Sequence, residues 1–377
     1  MKHTIFHKAF KLNNNSFDDI DDLLSYALHF SPEIHHFLED WFSEKEFVLV
    51  KTSGSTGTPK LIQLQKKQMQ YSALATGDFF QLKEKKIALL CLPIKYIAGK
   101  MMLVRALTLG WHLDVVNASS NPLNMLSRKY DFTAMVPLQL ENSIDKLHFI
   151  KKLIVGGGLV SNNLQEKLQP LATEVFGTYG MTETITHIAV KKLNKFSSLS
   201  ASGKKSIFRK ECISLRNTSN NSFYQTLPNT IIYKDERNCL VIKNTSISDK
   251  VIFTNDVVAL ISDTQFKWLG RFDNVINSGG IKLYPEKIEA DLSKIIRQRF
   301  FVAGIKDEKL GEKLVLLIES AGDKSIKLTD QLNSEMKNSK LFSKFEIPKE
   351  IHFIDRFAET ETKKIQRKKT MDLIKFI

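Results

Sequence analysis

From Phe47 to about Val190 the chain alternates short β-branched runs with stretches whose apolar residues recur at helical spacing, and each short run ends in Gly, Pro or Asn. The runs Phe47–Lys51, Ile87–Leu92, Leu113–Asn117, Phe132–Val136, Leu153–Val155 and Glu174–Phe176 read as strands. Lys67–Phe80, Gly99–Leu109 and Asn162–Leu168 read as the helices between them. That rhythm predicts βαβ units and a parallel sheet. Leu193–Phe223, rich in Ser, Asn and Lys, reads as an exposed excursion, and Thr230–Trp268 as the hairpins of a small β subdomain. Past Gly270 the texture changes to helix (Pro285–Gln298), strand (Phe300–Ile305), strand (Leu314–Glu319), helix (Leu328–Lys337) and strand (Glu350–Ile354). The expected fold is therefore α/β: a large N-terminal domain of parallel-sheet α/β layers with a small β subdomain, residues 1–270, and a small C-terminal α+β domain, residues 271–377. A chain of 377 residues exceeds what one core usually holds, which agrees with a single boundary.

Composition narrows the class. Hydrophobic residues at 42% and charged residues at 25% fit a soluble globular protein. The longest strongly apolar stretch, Ile87–Ile94, is too short for a bilayer span, and His7 and Lys8 interrupt the N-terminal segment where a secretory leader would need an apolar run. A cytoplasmic protein without membrane insertion is expected. Cys91, Cys212 and Cys239 are odd in number and widely spaced, which argues against a disulfide framework or a zinc cage. A net charge of +14 fits either a nucleic-acid surface or an enzyme whose ligands are phosphates and carboxylates. Lysines are spread along the whole chain without a nucleic-acid-binding signature, so no nucleic-acid partner is expected.

The strongest local signal is Thr52-Ser53-Gly54-Ser55-Thr56-Gly57-Thr58-Pro59-Lys60, directly after a predicted strand. Backbone N–H groups and hydroxyls supply short donors, glycines allow close approach to phosphate, and Lys60 adds positive charge. A flexible linker has the same composition but seldom stands between a strand and a helix. Pro59 falls where a Walker A loop needs Gly before Lys and Ser/Thr, so a P-loop NTPase is disfavoured. Further along, Gly156-Gly157-Gly158 ends a predicted strand, and Tyr179-Gly180-Met181-Thr182-Glu183 offers a flat ring, a hydroxyl and a carboxylate suited to a hard cation. By itself that second segment would also read as a helix start with an acid in its first turn.

Thr52 to Lys60 resembles the phosphate loop of the adenylate-forming superfamily of acyl-CoA synthetases, peptide-synthetase adenylation domains and luciferases, and four more motifs follow in that family's order up to Arg367. The resemblance implies that Thr52, Ser53, Gly54, Ser55, Thr56, Gly57, Thr58 and Lys60 bind the phosphates of ATP, and that Gly156, Gly157 and Gly158 form the adenine-pocket loop. It implies that Tyr179, with Gly180 and Met181, packs against adenine, that Thr182 reaches the α-phosphate and that Glu183 holds Mg²⁺. Phe253-Thr254-Asn255-Asp256 is similar to the Thr-Gly-Asp element, with Asn255 in place of glycine and Asp256 as the ribose acceptor. In Gly270–Lys282 the resemblance makes Arg271 a ribose contact, Asp273 the hinge of a mobile C-terminal domain, and Gly279 and Gly280 the loop that lines the path of coenzyme A. In Thr360–Arg367 it makes Lys364 the catalytic lysine, with Lys363 where the family has glycine.

The reaction so implied joins a carboxylic acid to ATP as an acyl-adenylate and then hands the acyl group to coenzyme A. The compact N-terminal portion, Met181–His187 and Val136-Pro137-Leu138-Gln139 resemble the short o-succinylbenzoate–CoA ligases of menaquinone synthesis. Tyr96, Gln139 and His187 are the candidate acid-pocket residues, with Lys100 or Arg105 as partners for a second carboxylate. The alternatives are a ligase for another aryl or acyl acid, an enzyme that loads a carrier protein, and a weakly catalytic nucleotide- or nucleic-acid-binding module. A homodimer is compatible with the sequence and is not specified by it.

Overall fold

The computed structural model describes residues 6–51, 61–195, 223–320, 326–360 and 365–374. Strand β1 (Lys11–Leu12) leads into helices α1 (Ile20–Phe30) and α2 (Pro32–Phe42). The side chains of Asp19 and Ser31 accept from the N–H groups of Asp22 and Ile34, pairing donors that a first helical turn leaves open. Then follow β2 (Phe47–Lys51), β3 (Leu61–Gln65), α3 (Lys66–Phe80), β4 (Ile87–Leu90), α4 (Ile97–Leu109), β5 (His112–Val115), β6 (Tyr130–Met135), α5 (Pro137–Asn142), β7 (Ile150–Val155), α6 (Asn162–Leu168) and β8 (Glu174–Gly180).

Strands pair in parallel in the order β1-β5-β4-β6-β7-β8. One expectation changes. The run Phe47–Lys51 does not join this sheet; β2 pairs antiparallel with β3, Lys51 opposite Leu61. Val48 and Val50 are buried while Leu49 and Lys51 are exposed, the alternation of a one-faced strand rather than of a central parallel one. Residues 52–60 therefore connect two antiparallel strands instead of a strand and a helix, and they lie outside the described residues.

Successive residues of the parallel strands feed opposite faces. Ala88 and Leu90 pack with Met69, Ala73, Met102 and Leu103 of α3 and α4, whereas Leu89 and Cys91 pack with Leu140, Leu164 and Leu168 of α5 and α6. Helices thus cover both faces, giving three layers. Strand β9 (His187–Lys192) returns antiparallel to β8. Strands β10 (Tyr224–Thr226), β11 (Ile231–Lys234), β12 (Cys239–Lys243), β13 (Ile252–Leu260) and β14 (Gln265–Arg271) extend the same sheet in the order β9-β10-β14-β13-β12-β11. The expected hairpins form, and they are hydrogen-bonded to the parallel part through β9 and β10.

Beyond Arg271 a second sheet holds β15 (Ile276–Ser278), β16 (Ile281–Leu283), β17 (Phe300–Asp307), β18 (Gly311–Glu319) and β19 (Glu350–Ile354), accompanied by α7 (Pro285–Leu292), α8 (Ile326–Asn338) and α9 (Arg367–Asp372). It has apolar clusters of its own, one centred on Ile288, Leu292, Val302 and Leu316 and one on Phe301, Leu317 and Phe357. Arg367 fastens α9 to α7 with paired 2.7 Å bonds to both carboxylate oxygens of Glu289. Among the described residues no helix is long and apolar enough to cross a membrane.

Candidate functional site

Parallel strands present all their carboxyl ends along one edge of the sheet, and ligands of such sheets bind there. Strand β4 ends at Leu90 and leads by a short loop to Tyr96, β6 ends at Met135 and leads into the helix that carries Gln139, β7 ends at Val155 before Gly156–Gly158, and β8 ends at Tyr179–Gly180. Candidates far apart in sequence are thereby gathered on one edge, and the strand order reverses between β4 and β6. At that crevice Gln139 takes a role different from the expected one. Its Nε2 donates to the carbonyls of Cys91 (2.8 Å) and Ser119 (2.9 Å), and its Oε1 accepts from Val136 N. Both amide hydrogens are occupied, so Gln139 pins the two strand ends together instead of offering a donor to a ligand.

At one end of the edge stands a carboxylate already dressed with donors. Asp256 on β13 lies opposite Arg271 on β14. It accepts from Tyr179 Oη (2.7 Å) and Trp268 Nε1 (3.1 Å), with Arg271 Nε 3.7 Å away. Burial, then the charge of Asp256, push the Tyr179 hydroxyl well above its ordinary value, so it remains a donor. The Tyr179 ring packs edge-on against Phe266 and is flanked by Tyr224. A carboxylate has about four acceptor positions, so two remain for further donors. Trp268, Phe266 and Tyr224 are absent from the sequence-based site; Phe266 and Trp268 stand two apart on one strand, the spacing that puts both on one face. Upstream, Gly156 leaves room for Thr178: a Cβ there would lie 2.6 Å from Thr178 Oγ1, which donates to Val155 O. Gly157 adopts φ +78°, a left-handed conformation that favours glycine.

At the other end stands a cation without an anion. Arg105 on α4 is 1% exposed, and its bonds go to Thr76 Oγ1 (3.3 Å), Thr186 Oγ1 (3.3 Å) and Met102 Sδ (3.8 Å). No carboxylate among the described residues pairs with it. Burial pushes the guanidinium down to about 9, which leaves it charged at neutral pH. Beside it, burial first and the Arg105 charge second hold His187 well below the usual imidazole range, so the ring is neutral. The hydroxyl of Thr186 accepts from Arg105 and lies 3.3 Å from His187 Nδ1. With one proton and two lone pairs, that hydroxyl can accept from Arg105 and either donate to Nδ1 or accept from it. The other ring nitrogen, Nε2, is buried and has no partner among the described residues.

Gly180 joins the two ends. A β-bulge at Tyr179/Gly180 sets Gly180 opposite His187, and a Cβ on Gly180 would lie 2.1 Å from the Thr186 carbonyl. Between them Thr186 N donates to Thr184 O (2.7 Å) around Ile185, whose φ of +66° and ψ of −58° mark a γ-turn of the strained hand. A buried β-branched residue in that conformation is a strain the surrounding packing holds in place.

The remaining candidates fall as follows. Thr182 and Glu183 lie in a short 3₁₀ turn after β8, Glu183 exposed. Tyr96 caps α4 with Lys95 over its ring, and the turn is tight because Gly99 approaches the Pro93 carbonyl. Lys100 departs from the expected place: its Nζ sits 4.5 Å from the Phe37 ring centroid, against α2. Five positions separate Lys100 from Arg105, which turns them to different sides of α4. Asp273 lies in the connection between the sheets, and Gly279 (φ +58°) and Gly280 (φ +80°) form an exposed turn. Lys363 and Lys364, like the segment containing Thr52 to Lys60, lie outside the described residues.

Residues 25–208 match the family of AMP-binding enzymes. A crystal structure of an acyl-CoA synthetase (AMP-forming)/AMP-acid ligase II-like protein from Dyadobacter fermentans shares 36% identity at a TM-score of 0.55, over 90% of this chain and 93% of that one. The chain belongs to this family of AMP-forming acid ligases, and its fold is theirs. Among named relatives, the 2-succinylbenzoate–CoA ligase of Bacillus mycoides is 23% identical over 91% of this chain and 73% of its own length. The o-succinylbenzoate CoA synthetase of Bacillus subtilis, solved with its acyl-adenylate intermediate, superposes at a TM-score of 0.69 with 20% identity, over 87% of this chain and 69% of that one. The same enzyme has been solved with ATP and magnesium (TM-score 0.67, 21% identity, 86% of this chain and 69% of that one).

Proposed function

We propose that this ligase activates o-succinylbenzoate with ATP and transfers the acyl group to coenzyme A. The observation that carries the choice of acid is the Arg105 guanidinium, paired with no carboxylate among the described residues, beside the partnerless Nε2 of His187. A buried charge without a counter-ion is costly, and a buried donor without an acceptor costs about 1–3 kcal/mol. A dicarboxylic acid relieves both when the His187 ring carries its proton on Nε2: one carboxylate reacts while the other meets Arg105 and His187. A monocarboxylic acid of the same shape leaves them as they are.

In the first step a carboxylate oxygen of the acid attacks the α-phosphorus of ATP, and pyrophosphate leaves. Residues Thr52–Lys60 and Lys364 offset the charge that grows on the phosphoryl oxygens, and Thr182 donates to the α-phosphate. Asp256 and Arg271 hold the ribose and Tyr179 the adenine, next to Gly156–Gly158. Glu183 fits a magnesium ion: one exposed carboxylate completed by substrate phosphates is a common arrangement for that ion, and no group of three or more ligating side chains competes among the described residues. When bound, the ion would offset charge on the phosphates. In the second step the small domain turns about Asp273, the Gly279–Gly280 turn lines the path of coenzyme A, and its thiolate attacks the acyl carbonyl as AMP leaves.

ATP–pyrophosphate exchange over a panel of acids tests this reading. Exchange is expected with o-succinylbenzoate and only weakly with benzoylpropionate, which lacks the ring carboxylate. Equal exchange with both would remove the role of Arg105. Exchange with other acids alone would replace the substrate, and exchange with none would favour a nucleotide-binding module.

A further inference from the structure

Asn255, on the hairpin strand β13, reaches across to the connection between the two sheets. Its Nδ2 donates to Asp273 Oδ2 (3.2 Å), and its Oδ1 accepts from Arg237 Nη1 (3.0 Å). Arg237 is itself fixed. It bonds Asp235 through Nε (2.9 Å) and the Thr254 carbonyl through Nη2 (3.1 Å), and its guanidinium lies 5.3 Å from the ring centroid of Phe272, the neighbour of Asp273. Because Arg237 can only donate, it must face the amide oxygen, and the amide nitrogen is thereby turned toward Asp273. Asn255 is not among the residues with positive φ. Its backbone does not require glycine, so the side chain is free to serve this contact.

We infer that Asn255, oriented by Arg237, is a positioning residue that latches Asp273 and retains the small domain in the orientation seen here. The inference rests on the reading that this domain turns about Asp273. The turn Gly279–Gly280 identifies the state that is retained. Among the described residues nothing lies within 4 Å of a Cβ placed on Gly280, and a Cβ on Gly279 meets only Leu310, in the turn before β18. A Cβ on either glycine would touch no described residue of 1–270, so the turn is not closed against that part of the chain here, and on the same reading the molecule leaves this orientation before thiolysis. A latch on this state restrains the second half-reaction and not the first. Asn255→Ala removes the latch, and Asn255→Asp replaces it with carboxylate–carboxylate repulsion while keeping an acceptor for Arg237.

The test is single-turnover conversion of synthetic o-succinylbenzoyl-adenylate to its thioester, beside ATP–pyrophosphate exchange, in the parent and both variants. Thiolysis is expected to rise about two- to five-fold in Asn255→Ala, the scale of one partly exposed hydrogen bond, and further in Asn255→Asp. Exchange should not rise in either. Spin labels at exposed positions 83 and 340 report the orientation, and both variants should populate the second distance more than the parent does with coenzyme A absent. Unchanged thiolysis and unchanged distances in both variants would overturn the latch. A single distance in the parent under all ligand conditions, with thiolysis intact, would instead overturn the rotation on which it rests.

Discussion

The two ends of the strand edge differ in what they lack. Asp256 is a buried anion whose donors, Tyr179 and Trp268, are already in place. Arg105 is a buried cation whose partners among the described residues are neutral, next to a histidine nitrogen that has none among them. The first end is dressed with donors before any ligand arrives and keeps acceptor positions open for further donors. The second holds a charge that no described carboxylate compensates, which is a selective device when the missing anion belongs to the substrate. Stability and function should therefore respond with opposite signs to substitution at the two ends.

The largest expected effect is at Arg105. Arg105→Met keeps the length and removes the buried charge, so kcat/KM for o-succinylbenzoate should fall about 100-fold or more while thermal stability holds or rises. Benzoylpropionate should lose little or gain. If the variant unfolds more easily and treats both acids alike, Arg105 is a structural residue and the contrast between the ends disappears. Gly180→Ala probes the joint between them. Its Cβ cannot be accommodated against the Thr186 carbonyl without moving backbone, so a loss of about 1–3 kcal/mol in denaturant unfolding is expected, with weaker binding of both nucleotide and acid. Loss of only one ligand would mean that the two ends are independent.

Asp256→Ala strands the Tyr179 hydroxyl and the Trp268 indole and should destabilise by about 2 kcal/mol while raising KM for ATP, with the preference between acids unchanged. Trp268 fluorescence in urea unfolding and exchange kinetics check both parts. The smallest effect is on pH dependence. Burial and Arg105 hold His187 below its unfolded value, so the unfolded chain binds a proton that the folded chain refuses. Stability contributed by neutral His187 is present above the unfolded value near 6.5 and declines as pH falls below it, by at most about 1.4 kcal/mol per pH unit. His187→Gln should flatten that slope between pH 6.5 and 5, and an unchanged slope would place the titration elsewhere.

Local patterns carried much of this. The run Asn162–Leu168 is a helix and Glu350–Ile354 a strand with the bounds their periodicity implied. Phe47–Lys51 was readable as a strand but not as a member of a separate hairpin, because its partner Leu61–Gln65 follows a segment that gives no pairing signal. The candidate nucleotide residues could be proposed from the sequence because each stands in a short contiguous motif. The sides taken by Lys100 and Gln139 could not, since a lysine near an aromatic ring and a glutamine near two carbonyls are relations between distant segments.

By itself, then, the sequence determined the α/β class, the order of the elements and the short motifs, all of which depend on periodicity and on neighbours a few residues away. The tertiary structure alone decided that Tyr179 and Trp268 would converge on Asp256, that Asn255 would meet Asp273, and that Arg105 would be buried beside His187 with no carboxylate of the described residues paired to it. Those outcomes turn on strand register and on which face of a helix meets the sheet. A shift of one residue in register turns every side chain of a strand to the opposite face, and nothing local in the chain records which alternative the packed core selects.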